Sequence, residues 1–183
     1  QADVCFGDLP LQIQSKLRIF KKPEVLAMDE YRLDEKVFRF EDIDLSGSYT
    51  YADYLKWEFD ERLELIRGRV FRMSPGPNTF HQKVSGVVQG TLFQYLKEKS
   101  CKVFAAPFDV RFPRLSKDDQ EIETVLQPDI CVICDPAKVD ERGGIGAPDI
   151  VVEILSPGNN KKELKNKFDV YEEAGVLEYW ILH

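Results

Sequence analysis

Two carboxylates stand inside runs that otherwise spell buried β-strand, and they constrain the fold more than anything else in the chain. Asp129 lies in Gln127-Pro128-Asp129-Ile130-Cys131-Val132-Ile133-Cys134, and Glu153 in Pro148-Asp149-Ile150-Val151-Val152-Glu153-Ile154-Leu155. Each run is short, rich in β-branched residues and bounded by Pro, which predicts a central strand. An ionised carboxylate buried in such a strand is strongly destabilising unless a cation or a donor compensates it. Two of them on neighbouring strands also repel each other, and a divalent cation between them removes that repulsion. The pattern therefore predicts paired strands whose carboxylates share a metal ion.

The rest of the chain orders these strands. Residues 1–44 mix charged and apolar residues without a sustained period and read as an extension or arm, leaving 45–183 as the main domain. Gln1 rather than Met opens the sequence, which leaves room for a natural amino terminus further upstream. Thr50 and Asp53 have capping-box spacing. Residues 63–73 read as two strands around a tight turn at Arg67-Gly68, followed by a Ser74-Pro75-Gly76-Pro77-Asn78 loop. A long helix is predicted from Thr79 to about Lys99, with Phe80, Val84, Val87, Val88, Leu92, Tyr95 and Leu96 as its apolar stripe. Lys102 to Phe112 reads as a strand interrupted at Pro107, and 113–124 as a polar loop. Strands follow at about 126–134 and 149–155, joined by the Gly-rich Arg142-Gly143-Gly144-Ile145-Gly146. Ser156 to Asn160 breaks the strand, a helix runs from Lys161 to Ala174 up to Gly175, and 177–182 is a last strand. The order is helix, three strands, helix, strand, preceded by a small hairpin.

Charge and cysteines narrow the function classes. A formal charge of −7 weighs against nucleic acid as a partner, because duplex binders usually carry a basic excess. Clustered catalytic carboxylates would themselves add negative charge, and a local basic strip can still hold phosphate. No apolar run approaches the roughly 20 residues of a membrane span, and no signal peptide is visible. Among Cys5, Cys101, Cys131 and Cys134, the Cys131-x-x-Cys134 pair would point to opposite faces of a strand and cannot share a zinc or a disulfide. Both read as small core residues, and unpaired thiols fit a reducing cytoplasm.

The element order is the one in which restriction-endonuclease-like nucleases arrange their core. Their mark is Pro-Asp on one strand, then Asp or Glu, one residue, and Lys on the next. Pro128-Asp129 and Glu153 supply the carboxylates, but Leu155 stands where that class has Lys. The following helix offers Lys161, Lys162, Lys165 and Lys167 instead, of which Lys167 shares a helix face with Tyr171. For Lys161 and Lys162 a solvated face is the plainer reading.

In combination, several segments between about 48 and 182 resemble the Uma-type restriction endonuclease family, long known as a domain of unknown function. They are Thr50 to Tyr54, Glu64-Leu65-Ile66-Arg67-Gly68, Met73-Ser74-Pro75 with His81, and Pro107 to Arg111. Gln127-Pro128-Asp129, Gly146 to Pro157, Lys167 to Tyr171 and Ala174 to Trp180 complete the set. Arg67 stands where Asp is more usual, a change confined to a turn. Family members run past the last strand, so the resemblance implies a missing carboxyl-terminal segment.

The resemblance implies a mixed α/β restriction-endonuclease-like fold, its sheet flanked by helices, and Mg²⁺- or Mn²⁺-dependent hydrolysis of DNA phosphodiester bonds. Asp129 and Glu153 would be the metal ligands, Lys167 the migrated lysine, and Glu64 and His81 further members of the site. A homodimer is compatible, since one such site cuts one strand, and the setting would be cytoplasmic. Glu64 reads either as a ligand or water-orienting group or as an exposed hairpin carboxylate, and His81 either as a site residue or as a backbone acceptor. Asp109 and Asp149 read as scaffold, and Tyr179-Trp180 as packing. The rival functions are a catalytically inactive binding or regulatory module of the same fold, favoured by Leu155 and the acidic charge, and an interaction protein working through the arm.

Overall fold

The structure is a computed structural model that describes residues 36–73, 78–156 and 161–183, the last with side chains from residue 164 onward. Most of the predicted arm with Cys5, most of the loop after Met73, the cap before the last helix and the side chains of Lys161 and Lys162 lie outside these residues.

The hairpin forms as its sequence dictates. Strands β1 (Leu63–Ile66) and β2 (Arg69–Arg72) are joined by Arg67 at φ 50° and Gly68 at φ 77°, the paired positive angles that a two-residue hairpin turn favours. A short helix α1 (Tyr51–Tyr54) precedes it, with the Asp53 carboxylate accepting from Thr50 N and Oγ1 at 3.0 Å. Helix α2 (Thr79–Leu96) starts at Asn78, whose side chain accepts from His81 N at 2.9 Å. It ends before the predicted Lys99, and its buried stripe is narrower than predicted. Val84, Val88 and Leu92 pack inward, whereas Phe80, Val87 and Tyr95 are exposed.

Pro107 divides the next segment into β3 (Lys102–Ala105) and β4 (Val110–Arg111), and the halves enter different sheets. The strand predicted at 126–134 is likewise two, β5 (Val125–Leu126) and β6 (Ile130–Ile133). Gln127-Pro128-Asp129 carries the chain from one sheet to the other, and Pro128 has no N–H to continue a ladder. The Gly-rich connection is a hairpin rather than a loop, β7 (Val139–Asp140) with β8 (Gly143–Ile145). A Cβ on Gly143, at φ 122°, would lie 2.3 Å from Asp109 O, so only glycine lets β8 lie this close to the chain leading into β4. Strand β9 (Ile150–Ile154), helix α3 (Lys161–Ala174) and strand β10 (Glu178–Leu182) complete the domain, with Gly175 at φ 84° ending α3.

One sheet runs β10-β9-β6-β3, antiparallel except for the parallel β9/β10 pair that α3 connects. With α2 leading into β3, the predicted order of helix, three strands, helix, strand is present. The second sheet, β2-β1-β5-β4-β8-β7, absorbs the hairpin into a larger body than the sequence suggested. Alternation along β9 settles its two faces: Val152 and Ile154 pack toward α2, and Val151 packs with Val170 and Tyr171 of α3.

The cysteine reading needs correction. Cys131 is a buried free thiol, as expected, but Cys134 is bonded to Cys101. The β3/β6 register pairs Lys102 with Ile133, which sets Cys101 across from Cys134 on the neighbouring strand. The opposite-face rule correctly separates Cys131 from Cys134 but says nothing about a partner across the ladder. Unpaired thiols therefore no longer support a reducing compartment.

Candidate functional site

Glu153 lies near the end of β9, on the face that Val151 turns toward α3. Its Oε1 accepts from Tyr171 Oη at 2.8 Å and from Lys167 Nζ at 3.1 Å. Lys167 and Tyr171 are one helical turn apart, so α3 delivers both donors to one oxygen. The same ammonium lies 2.8 Å from Glu64 Oε1 on β1, and Gln127 N donates to that oxygen at 3.0 Å. Glu64, Glu153 and Lys167 are 3%, 8% and 5% exposed. Glu64 is thus no exposed hairpin carboxylate.

Asp129 sits just before β6. The antiparallel register pairs Ile130 with Val152, and one further step sets Asp129 beside Glu153. Its Oδ2 accepts from Ile154 N at 2.7 Å and lies 3.1 Å from His81 Nε2. His81 therefore meets Asp129 rather than a backbone group through its Nε2, and its buried Nδ1 has no partner among the described residues.

Burial pushes the Glu153 carboxyl up to about 7; Lys167 opposes that rise, while Glu64 and Asp129 add to it. For Lys167, burial disfavours the charge, but Glu153 and Glu64 outweigh it and hold the ammonium protonated well above its ordinary range. Tyr171 is raised by burial first and by Glu153 and Glu64 next, so it remains a donor. Glu64 and Glu153 thus share one buried ammonium, and Asp129 lies beside Glu153 with His81 at its Oδ2.

That surplus of negative charge and the donor set suit a divalent cation. Asp129 Oδ1 and Glu153 Oε2 accept no hydrogen bond among the described residues, because the internal donors all converge on the other oxygen. No group of three or more His, Cys, Asp or Glu among the described residues is arranged to hold a metal ion. The fit is therefore to a hard cation held by two carboxylates, with water or phosphate oxygens completing its shell, a common mode for Mg²⁺.

The flanking residues divide cleanly. Asp109 accepts from Gln127 Nε2 at 2.7 Å, and burial raises its carboxyl despite that donor. Gln127 Oε1 in turn accepts from Arg62 Nη2 at 2.7 Å, so Asp109 belongs to the scaffold behind Glu64. Asp149 accepts from Cys134 N at 2.8 Å and pins β9 to the end of β6. Lys165 pairs with Asp169 on the outer side of α3, away from the site. Tyr179 and Trp180 pack on opposite faces of their sheet. Gln127 and Tyr171 are contributors that received no role from the sequence. Their signals were adjacency to Pro128-Asp129 and the one-turn spacing from Lys167.

A family model described as "Putative restriction endonuclease" matches residues 51–183. The uncharacterized protein slr1290 of Synechocystis sp. is 26% identical over 133 residues, which are 71% of this chain and 65% of that relative. The chain thus spans less than two thirds of that relative's length. The crystal structure of a putative nuclease from Anabaena variabilis superposes with a TM-score of 0.58 at 20% identity, covering 73% of each chain. It shares the mixed α/β fold.

Proposed function

The chain belongs to the Uma2 family, described as putative restriction endonucleases, and on that premise we propose that it is a metal-dependent endonuclease hydrolysing phosphodiester bonds in DNA. The observation that carries this reading is the convergence of Lys167 from α3 on Glu153, with Asp129 as the neighbour of Glu153 across the β6/β9 ladder. It supplies the ammonium that Leu155 cannot.

Asp129 and Glu153 would hold Mg²⁺ or Mn²⁺. Such a cation, when bound, acidifies a water and stabilises the charge that grows on the phosphate. Lys167 and Tyr171 fix the Glu153 carboxylate by its other oxygen, and Glu64, itself fixed by Gln127 N, holds the ammonium in place. His81 and Ile154 N do the same for Asp129. The Lys167 ammonium positions the attacking water or neutralises a phosphate oxygen.

The test is cleavage of supercoiled and linear DNA with Mn²⁺, comparing the protein with its Asp129→Ala variant. Cleavage that vanishes in the variant and in chelator is expected. Absence of cleavage by the unmutated protein would refute the reading in favour of an inactive module of the same fold, the alternative that Leu155 supports.

A further inference from the structure

Helix α2 packs one apolar seam into the core and leaves a second, only partly apolar seam exposed. The inner seam of Val84, Val88 and Leu92 packs on Ile130, Val152 and Ile154. The outer seam runs Phe80, Lys83, Val87, Gly90, Thr91, Gln94, with the three- and four-residue spacing at which one helix packs along another. Phe80 is 57% exposed and Val87 69%. Nothing among the described residues requires glycine here. A Cβ on Gly86 or Gly90 would meet no atom within 4 Å, yet each mid-helix glycine costs about 0.5–1 kcal/mol relative to alanine. In a chain of net charge −7 this helix has no Asp or Glu and a single cation, Lys83.

We propose that the outer seam of α2 is a homodimer interface, on which a second copy of the chain packs its own α2 antiparallel about a two-fold axis at Val87. The spacing is self-complementary. Turning the helix about Val87 sets Phe80 against Gln94 and Lys83 against Thr91. The ammonium then meets a hydroxyl, and its symmetry mate lies about 12 Å away along the helix. Two acidic copies repel over most of their surface, and a face without carboxylates is where that repulsion is least. One lysine among apolar groups is a poor match for the phosphates of DNA or an anionic membrane, which attract runs of Lys and Arg. Two helices about 27 Å long with their flanking side chains would bury on the order of 1,000 Å², the lower edge of a specific interface, so the dimer should be a micromolar one. The inference does not depend on catalysis: a protein that cuts no DNA would still pair in this way.

The test is sedimentation of the full chain from about 1 to 100 μM, the range for a micromolar interface. A concentration-dependent dimer is expected. Val87→Glu and Gly90→Glu, both directed into open space, should each raise the dissociation constant at least tenfold with an unchanged circular-dichroism spectrum, while Lys165→Glu on α3 leaves it unaltered. A protein that stays monomeric throughout the range would overturn the proposal. So would a dimer that survives both seam variants, since another surface or partner would then be responsible.

Discussion

Replacing Glu153 by Gln should stabilise the metal-free protein at alkaline pH while abolishing its metal binding. Burial lifts the carboxyl from an ordinary 4.5 to about 7. The difference corresponds to about 3 kcal/mol, at roughly 1.4 kcal/mol per pH unit. The sign follows from proton uptake, because the folded state holds the proton more tightly than the unfolded chain. Stability linked to this group is fully present below about 4.5 and is lost as pH rises through about 7. By pH 8 or so the whole cost is expressed. Gln cannot ionise, and its carbonyl can keep accepting from Lys167 and Tyr171, while Lys167 keeps Glu64 at 2.8 Å. The variant should therefore gain up to about 3 kcal/mol at alkaline pH, a figure that already includes the attraction of Lys167, and the gain should shrink to a fraction of that near pH 5. Urea unfolding of both proteins in chelator between pH 5 and 8.5 measures this difference, and titrations common to both cancel. A variant less stable at pH 8, or a gain of equal size at both ends of the range, would refute the reasoning.

Other perturbations separate the members of the cluster. Lys167→Met leaves Glu64 and Glu153 buried without their cation and should cost about 3–5 kcal/mol, with the loss smaller at pH 5, where Glu153 can take a proton; urea midpoints at two pH values decide it. Mn²⁺ at a hundredfold excess over its dissociation constant should stabilise the protein by about 2.7 kcal/mol, and Asp129→Asn should remove most of that gain in thermal unfolding. Gly68→Ala places a Cβ 2.3 Å from Ser48 Oγ at a φ of 77° and should destabilise the hairpin by more than about 1 kcal/mol, read as a lowered urea midpoint without loss of Mn²⁺ affinity.

Local signals were legible where chemistry and backbone agree. Arg67-Gly68 could only be a hairpin turn, Pro107 had to interrupt its strand, and Gly175 had to end its helix. The neighbouring strands of Asp129 and Glu153 followed from β-branched runs that a buried carboxylate contradicts. What the letters could not show was which strand pairs with which. Cys101 and Cys134 meet only because β3 lies against β6, and β5 and β6 separate only because Gln127 to Asp129 crosses between sheets. The outward turn of Phe80 and Val87 was hidden for a related reason. Inward and outward apolar residues on one helix blur into a single broad stripe when read as periodicity, and only the packing of Val84, Val88 and Leu92 shows which of them the core takes.

The same logic explains why the cluster sits where it does. For stability alone, apolar side chains of similar volume at these buried positions would often serve as well as Glu64, Glu153 and Lys167, or better. The fold instead surrounds the carboxylates with donors it already has to place: the backbone N–H groups of Gln127 and Ile154, and two side chains one turn apart on α3. Those donors gather on one oxygen of each carboxylate, which orients the other oxygen without neutralising the group. The Lys167 ammonium meets two carboxylates, Glu64 and Glu153, so with both ionised these contacts hold one positive charge against two negative ones. A site built only for folding would gain by closing that deficit internally, whereas one built to hold a cation must leave it open. Asp129 Oδ1 and Glu153 Oε2, which accept no hydrogen bond among the described residues, are where an incoming charge would restore the balance.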